Sequence, residues 1–359
     1  MKIAIAGCEH DTFDQELAIA EREGVELQYA YRHTFTPEEI LERCQDADAI
    51  LSERAFFGRR TMERLPKLVA IGRYGAMVSG LDVRAANERQ IAIFSVPDAS
   101  TEAVSDHALT LALMLLRDVA FQDRRVRLGD ASFVRSRPLH LFSELTYGVL
   151  GCGRIGSSVA RKAQALGFEV LVSDAHVRQD TYNGFQAVDF EDLLARCDVL
   201  SVHLPRGGST FHLIGRTALK LMKPSAIIVN TGDGDVVDLR ALSTALQEGR
   251  LRAAGLDTLD EEPMPTDAAS LCLDRLVLTP HMAWYTEETL DVVKRRTIQN
   301  VIDYLKGRPL HDMLNPQILT GETVWPVERL HIEVGPLPPT IDPTLGGMPG
   351  PLIPGPKRR

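Results

Sequence analysis

The sequence predicts an α/β protein built from two doubly wound parallel-sheet units, and three observations predict it. Short apolar runs alternate with helical stretches along nearly the whole chain. A single long apolar helix separates two such series. At 359 residues, with 44% hydrophobic and 25% charged residues, the chain is long and apolar enough for one or two buried cores.

Apolar runs at 3–6, 25–29, 49–51, 68–71 and 91–94 read as the strands of the first series. One of the intervening helices opens at Thr36-Pro37-Glu38-Glu39. This places a capping threonine before a first-turn proline, with a glutamate three residues after the cap. Such βαβα alternation implies a parallel sheet with helices on both faces. The long helix is expected over 101–119, followed by a polar, arginine-rich segment at 122–138. Strands of the second series are expected at 148–150, 170–173, 199–203, 226–230, 254–257 and 276–279. A last helix, 286–305, is expected to return to the first unit, making that domain discontinuous and leaving a cleft between the two. The expected domains are thus 1–100 with 285–316, and 101–284 with its linking helix. Residues 317–359 form a tail whose proline- and glycine-rich part, 335–356, has no periodicity and is expected to be disordered.

A formal net charge of −9 without a basic stripe argues against nucleic acid as a partner. Five cysteines (Cys8, Cys44, Cys152, Cys197, Cys272) include no C-x-x-C pair, and their number is odd. The expectation is a reduced cytoplasmic protein with neither a disulfide framework nor a zinc site. The chain opens directly on a strand, so no signal peptide is expected. The most apolar run, 109–116, lies between Asp106 and Arg117 and is too short to span a bilayer.

Gly151-Cys152-Gly153-Arg154-Ile155-Gly156 is a G-x-G-x-x-G between a short apolar strand and a helix with Ile155, Val159, Ala163 and Leu166 on one face. In that setting Gly151 permits the tight turn, Gly153 the approach of backbone to a pyrophosphate, and Gly156 close helix–strand packing. Asp174 ends the next strand, 174 − 156 = 18 residues beyond the last glycine. A carboxylate there accepts from ribose hydroxyls and repels a 2′-phosphate, so NAD is expected over NADP, with Arg178 the nearby cation that tempers the preference.

Further segments carry a resemblance: Gly72-Arg73-Tyr74-Gly75, Ser105-Asp106-His107-Ala108-Leu109, His203-Leu204-Pro205, Met222-Lys223-Pro224, Asn230-Thr231-Gly232 and Thr279-Pro280-His281. Over about the first 316 residues the chain resembles the D-2-hydroxyacid dehydrogenases. The resemblance implies a Rossmann NAD domain inserted into a discontinuous flavodoxin-like substrate domain, usually as a dimer. It implies His281 as the acid–base histidine and Glu262 as the carboxylate that orients it. It places Asp257 at the nicotinamide carboxamide, Asn230 and Thr231 beside the nicotinamide ribose, and His203, Arg154 and Ile155 with the glycines in the cofactor site. Asp238 reads as the cap of the helix carrying Leu239, Leu242 and Leu246.

The resemblance breaks at two places. Asp233 stands where the family carries the arginine that grips the substrate carboxylate, so the expected charge is inverted. In the substrate loop Arg73-Tyr74-Gly75-Ala76-Met77, the family usually has glycine at the position of Met77, and Ser79-Gly80 replaces its Asp-Asn. Trp284 and Tyr285 after His281 resemble the C-terminal-binding-protein branch, in which the tryptophan faces the substrate; packing at a helix start is the alternative. The leading expectation is an NAD-dependent oxidoreductase acting on a small carbonyl or hydroxy compound, with Arg73, Arg54 or Arg206 as a relocated cation or with a substrate that needs none. An NAD-binding interaction or sensor protein with little turnover, and a non-redox enzyme using the same cleft, are the alternatives.

Overall fold

The computed structural model describes residues 1–8, 10–30, 36–76, 78, 80–132, 138–177, 181–262 and 273–320. The candidates Met77, Ser79, Arg178 and Cys272 and the expected tail beyond 320 lie outside the described residues. The chain divides into two compact units, one formed by Met1–Ser100 with the chain from Thr286 on, the other by Thr101–Tyr285.

The first unit contains β1 (Lys2–Ala6), β2 (Glu26–Ala30), β3 (Ala49–Ser52), β4 (Ala70–Arg73) and β5 (Ala92–Phe94). They form one parallel sheet in the order β2-β1-β3-β4-β5. This is the flavodoxin order, whose direction of winding reverses between β1 and β3. Ile3, Ile5, Ala49, Leu51, Ala70, Ala92 and Phe94 bury one face against Val293, Ile298, Val301 and Ile302 of the helix Glu287–Leu305. The opposite face buries Ala4, Ile50, Ile71 and Ile93 with Ile40, Phe57 and Met62. Strands buried on both faces have no polar side to alternate, which is why they read as continuous apolar runs. The capping box at Thr36 is present in full: its hydroxyl accepts from the Glu39 N–H, and the Glu39 carboxylate accepts from the Thr36 N–H.

The second unit contains β6 (Thr146–Leu150), β7 (Glu169–Ser173), β8 (Thr181–Tyr182), β9 (Phe185–Ala187), β10 (Val199–Val202), β11 (Ile227–Asn230), β12 (Ala253–Leu256) and β13 (Leu276–Leu278). Their order is β13-β12-β11-β10-β6-β7-β9-β8, parallel except for the β8–β9 hairpin. This is a Rossmann sheet, and its winding reverses between β6 and β10. The glycine loop leaves β6 and His203 leaves β10, so both lie at the crevice where such sheets receive ligands.

Two elements differ from expectation. The helix expected over 101–119 ends at Leu116, and a second helix, Val119–Arg127, takes over part of the arginine-rich segment. Between them Asp118 takes a left-handed conformation (φ 54°). Buried Arg252 holds this break by donating to the Leu116 carbonyl at 3.1 Å and lying 3.6 Å from the Asp118 carboxylate. The β8–β9 hairpin was not expected, because runs of two and three residues carry no readable alternation.

Candidate active site

Gly151 and Gly156 meet the steric demands their spacing made. Gly151 sits at φ 88°, and a Cβ there would lie 2.9 Å from the His203 carbonyl oxygen. A Cβ on Gly156 would lie 2.0 Å from the Gly151 carbonyl oxygen, so the helix Arg154–Ala165 can approach the turn only through glycine. Around Gly153 the space a Cβ would take is open. Gly153 is also the N-cap and offers no side chain to the first-turn amides. An uncapped twelve-residue helix behind an open glycine is a fitting seat for a pyrophosphate. Asp174 braces the loop itself. Its Oδ2 accepts from the Cys152 N–H at 2.8 Å and its Oδ1 from His176 N–H at 2.9 Å, so the carboxylate also fixes the glycine loop. Ionised carboxylate oxygens keep further lone pairs for ribose hydroxyls. Arg154 and Ile155 form the first turn of the helix, with Ile155 packed on the core.

Across the switch point, His203 pairs through Nε2 with Ser201 Oγ at 2.8 Å and through Nδ1 with Thr231 Oγ1 at 3.4 Å. Desolvation lowers its pKa to about 3, so the ring is neutral at physiological pH. Buried Asn230 braces the turn that follows β11: its amide donates to the Asp233 carbonyl at 3.1 Å and its oxygen accepts from Gly232 N–H at 3.1 Å. Thr231 is likewise buried. Gly234 is obligatory, since a Cβ there would lie 1.9 Å from the Leu259 carbonyl oxygen.

Asp233 caps the short 3-10 turn Gly234–Val236, accepting from the Asp235 N–H at 3.3 Å. The same carboxylate lies 3.3 Å from Nε of Arg206, which is also 2.8 Å from Asp235 Oδ2. Arg206 is 66% exposed, whereas Asp233 and Asp235 are 25% and 16% exposed. Two carboxylates therefore share one guanidinium. Arg206 was one of three candidate cations in the sequence, but Asp235 as a second acid was not foreseen.

Buried Asp257 organises the loop after β13. Its Oδ1 accepts from Thr279 Oγ1 and from Met282 N–H at 2.9 Å, and its Oδ2 accepts from Ala283 N–H at 2.9 Å. His107 joins through Nε2, 3.0 Å from Thr279 Oγ1 and 3.6 Å from Asp257 Oδ1. His281 adopts a left-handed backbone (φ 53°), uncommon outside glycine, and its N–H is held by the Asp257 and Thr279 carbonyls. This conformation presents its Nδ1 to Glu262 Oε2 at 2.8 Å, while Glu262 Oε1 accepts from Leu259 N–H at 2.8 Å. Both side chains are about one-third exposed. The Trp284 ring stands edge-on to Tyr285 at 5.7 Å. Asp238 accepts from Ala241 N–H and caps its helix, as its position suggested.

The remaining candidates belong to the first unit. Arg73 is 1% exposed and donates to the Ala55 carbonyl at 3.0 Å and Ser52 Oγ at 3.4 Å, bracing that unit's own turn. Tyr74 is buried and donates to Glu16 at 3.1 Å. Gly75 takes φ 85° and accepts from Val96 N–H, and Ala76 is exposed. Arg54 is exposed beside Glu53.

A Rossmann sheet with this loop defines a dinucleotide-binding protein, and sequence comparison carries the assignment further. Residues 109–283 match the family described as D-isomer specific 2-hydroxyacid dehydrogenase, NAD binding domain. A glyoxylate reductase of Korarchaeum cryptofilum (strain OPF8) is 35% identical over 287 residues, spanning 78% of this chain and 86% of that protein. Among solved structures, the TT0316 protein of Thermus thermophilus matches with TM-score 0.80 and 30% identity over 88% of this chain and all of its own. An acyclic imino acid reductase solved with NADPH and D-Arg matches with TM-score 0.78 and 26% identity, over 88% of this chain and all of its own. The chain belongs to the D-isomer specific 2-hydroxyacid dehydrogenase family, whose members are NAD-dependent oxidoreductases.

Proposed function

We propose that this chain is an NAD-dependent oxidoreductase acting on a small carbonyl, hydroxy or imino compound whose group beside Asp233 is neutral or cationic. The observation that carries the reading is the pair of carboxylates, Asp233 and Asp235, around the single guanidinium of Arg206. Two negative charges against one positive leave this turn net negative, which disfavours a substrate carboxylate. The imino acid reductase solved with D-Arg is a relative of the same architecture whose ligand has a net positive charge although it also carries a carboxylate. NAD supplies or accepts the hydride when bound. Gly151, Gly153 and the first turn of Arg154–Ala165 would hold its pyrophosphate, Asp174 its ribose, and Thr231, Asn230 and Asp257 the nicotinamide end. His281 moves the proton at Nε2, because Glu262 holds Nδ1. Glu262 fixes the tautomer and orientation of the ring.

The test is NADH oxidation by the purified chain over a panel of neutral, cationic and anionic carbonyls and imines, in the parent and in His281→Ala. The expected result is turnover of at least one neutral or cationic compound, reduced about 10²- to 10⁴-fold in the variant with NADH affinity kept. NADH binding without oxidation of any member would instead favour the interaction-protein reading.

A further inference from the structure

The first unit has its own switch point, between β1 and β3, and three side chains of metal-ligating type gather there. Cys8 and His10 follow β1, and Glu53 follows β3. One ligand atom from each lies within 4.8 Å of the other two. Cys8 is 1% exposed, His10 8% and the Glu53 side chain 16%. The two loops are tied together, since the Gly7 carbonyl accepts from both Glu53 N–H and Arg54 N–H at 3.1 and 3.0 Å. The His10 ring is fixed edge-on against Tyr74 at 4.7 Å, yet its buried Nδ1 has no hydrogen-bond partner. An unpartnered nitrogen in a buried polar site is costly unless something accepts or coordinates it.

We propose that Cys8, His10 and Glu53 form a binding site for a borderline-soft divalent cation of the zinc class. The donor set is one thiolate, one imidazole and one carboxylate, the combination that suits Zn²⁺. Bonds of about 2.3 Å to sulfur and about 2.0–2.2 Å to nitrogen and oxygen put tetrahedral ligands roughly 3.3–3.7 Å apart. From separations of at most 4.8 Å, a contraction of up to about 1.5 Å therefore brings the three atoms onto one ion. Three protein ligands leave a fourth position for water or an outside ligand. Burial pushes the Cys8 thiol up, offset only in part by the hydrogen bond from the His10 backbone, so a bound cation would have to displace the thiol proton. Lys294 is the unfavourable neighbour, and buried Glu16, 3.4 Å from its Nζ, offsets its charge. Sequence spacing did not reveal the site, because C-x-H is not a recognised zinc pattern and Glu53 comes from a separate loop.

The test is titration of the chelator-treated full-length protein with Co²⁺, read by the thiolate-to-cobalt charge-transfer absorption in the near ultraviolet. The expected result is a band saturating at one equivalent and displaced by one equivalent of Zn²⁺. Cys8→Ser should abolish it, while Cys44→Ser, a buried cysteine of the same unit, should leave it unchanged. His10→Gln and Glu53→Gln should weaken Co²⁺ binding by at least about 100-fold, more than the loss of an outer-shell partner usually costs. Far-ultraviolet circular dichroism and NADH binding report folding in each variant. If Cys8→Ser does not fold, the other two decide, and unchanged Co²⁺ affinity in both overturns the proposal. So does a parent without the band, or a band that survives Cys8→Ser.

Discussion

Replacing Asp233 by asparagine isolates the charge that sets this chain apart. Asparagine keeps an oxygen to accept from the Asp235 N–H, and it caps as well as aspartate, so the 3-10 turn and the fold should survive. The substitution removes one of the two carboxylates around Arg206 and takes the cluster from net −1 to neutral. Two unit charges 4 Å apart interact by about 1 kcal/mol in water and about 4 kcal/mol at the effective dielectric of a protein surface. Asp233 is only 25% exposed, but Arg206 already offsets part of its charge, which places the effect in the lower half of that range. The expected gain is about 1–2 kcal/mol, or roughly 5- to 30-fold in kcat/KM, for glyoxylate or pyruvate. The assay is initial-rate NADH oxidation, with methyl pyruvate as the uncharged control. The gain should shrink as salt shortens the screening length below about 8 Å. No gain for the anion, or an equal gain for the ester, with fold and NADH binding intact, would refute the electrostatic argument.

Other outcomes follow from the same geometry. Gly156→Ala, whose Cβ would lie 2.0 Å from a carbonyl oxygen, should destabilise the protein by about 2 kcal/mol or more in urea unfolding. Gly153→Ala should leave the unfolding midpoint unchanged and weaken NADH binding by about tenfold or more, because its Cβ meets open space that a pyrophosphate would need. Glu262→Gln should lower kcat about 10- to 100-fold, with the Kd for NADH within about twofold. The pKa values of His203 and His10 are lowered on folding, from 6.5 to about 3 and about 4. Between those values and 6.5 the unfolded chain binds more protons, so stability present above pH 6.5 is lost as pH falls through this window. His203→Asn should flatten part of that decline in urea midpoints measured across the window.

Much of this was legible in the sequence because it follows from local rules. Strands buried on both faces read as apolar runs, and Gly151 and Gly156 of the cofactor loop answer steric demands that their spacing announces. Asp238 and Thr36 declare themselves by the helices they cap. What could not be read arises between segments. Arg206 meets Asp233 and Asp235 from a different loop, and charge pairing across loops leaves no spacing to find. His107, Thr279 and Asp257 converge from three elements, so the bracing of the His281 loop is visible only in three dimensions. The left-handed turn at Asp118 depends on Arg252, far along the chain, and a helical pattern running through it gives no warning.

The central claim is that the turn at Asp233 disfavours a substrate carboxylate, and the most direct measurement is the parent protein's kcat/KM for pyruvate against methyl pyruvate with NADH. The account predicts that the uncharged ester is the better substrate and that low salt widens the difference. A clear preference for pyruvate, undiminished at low salt, would contradict it.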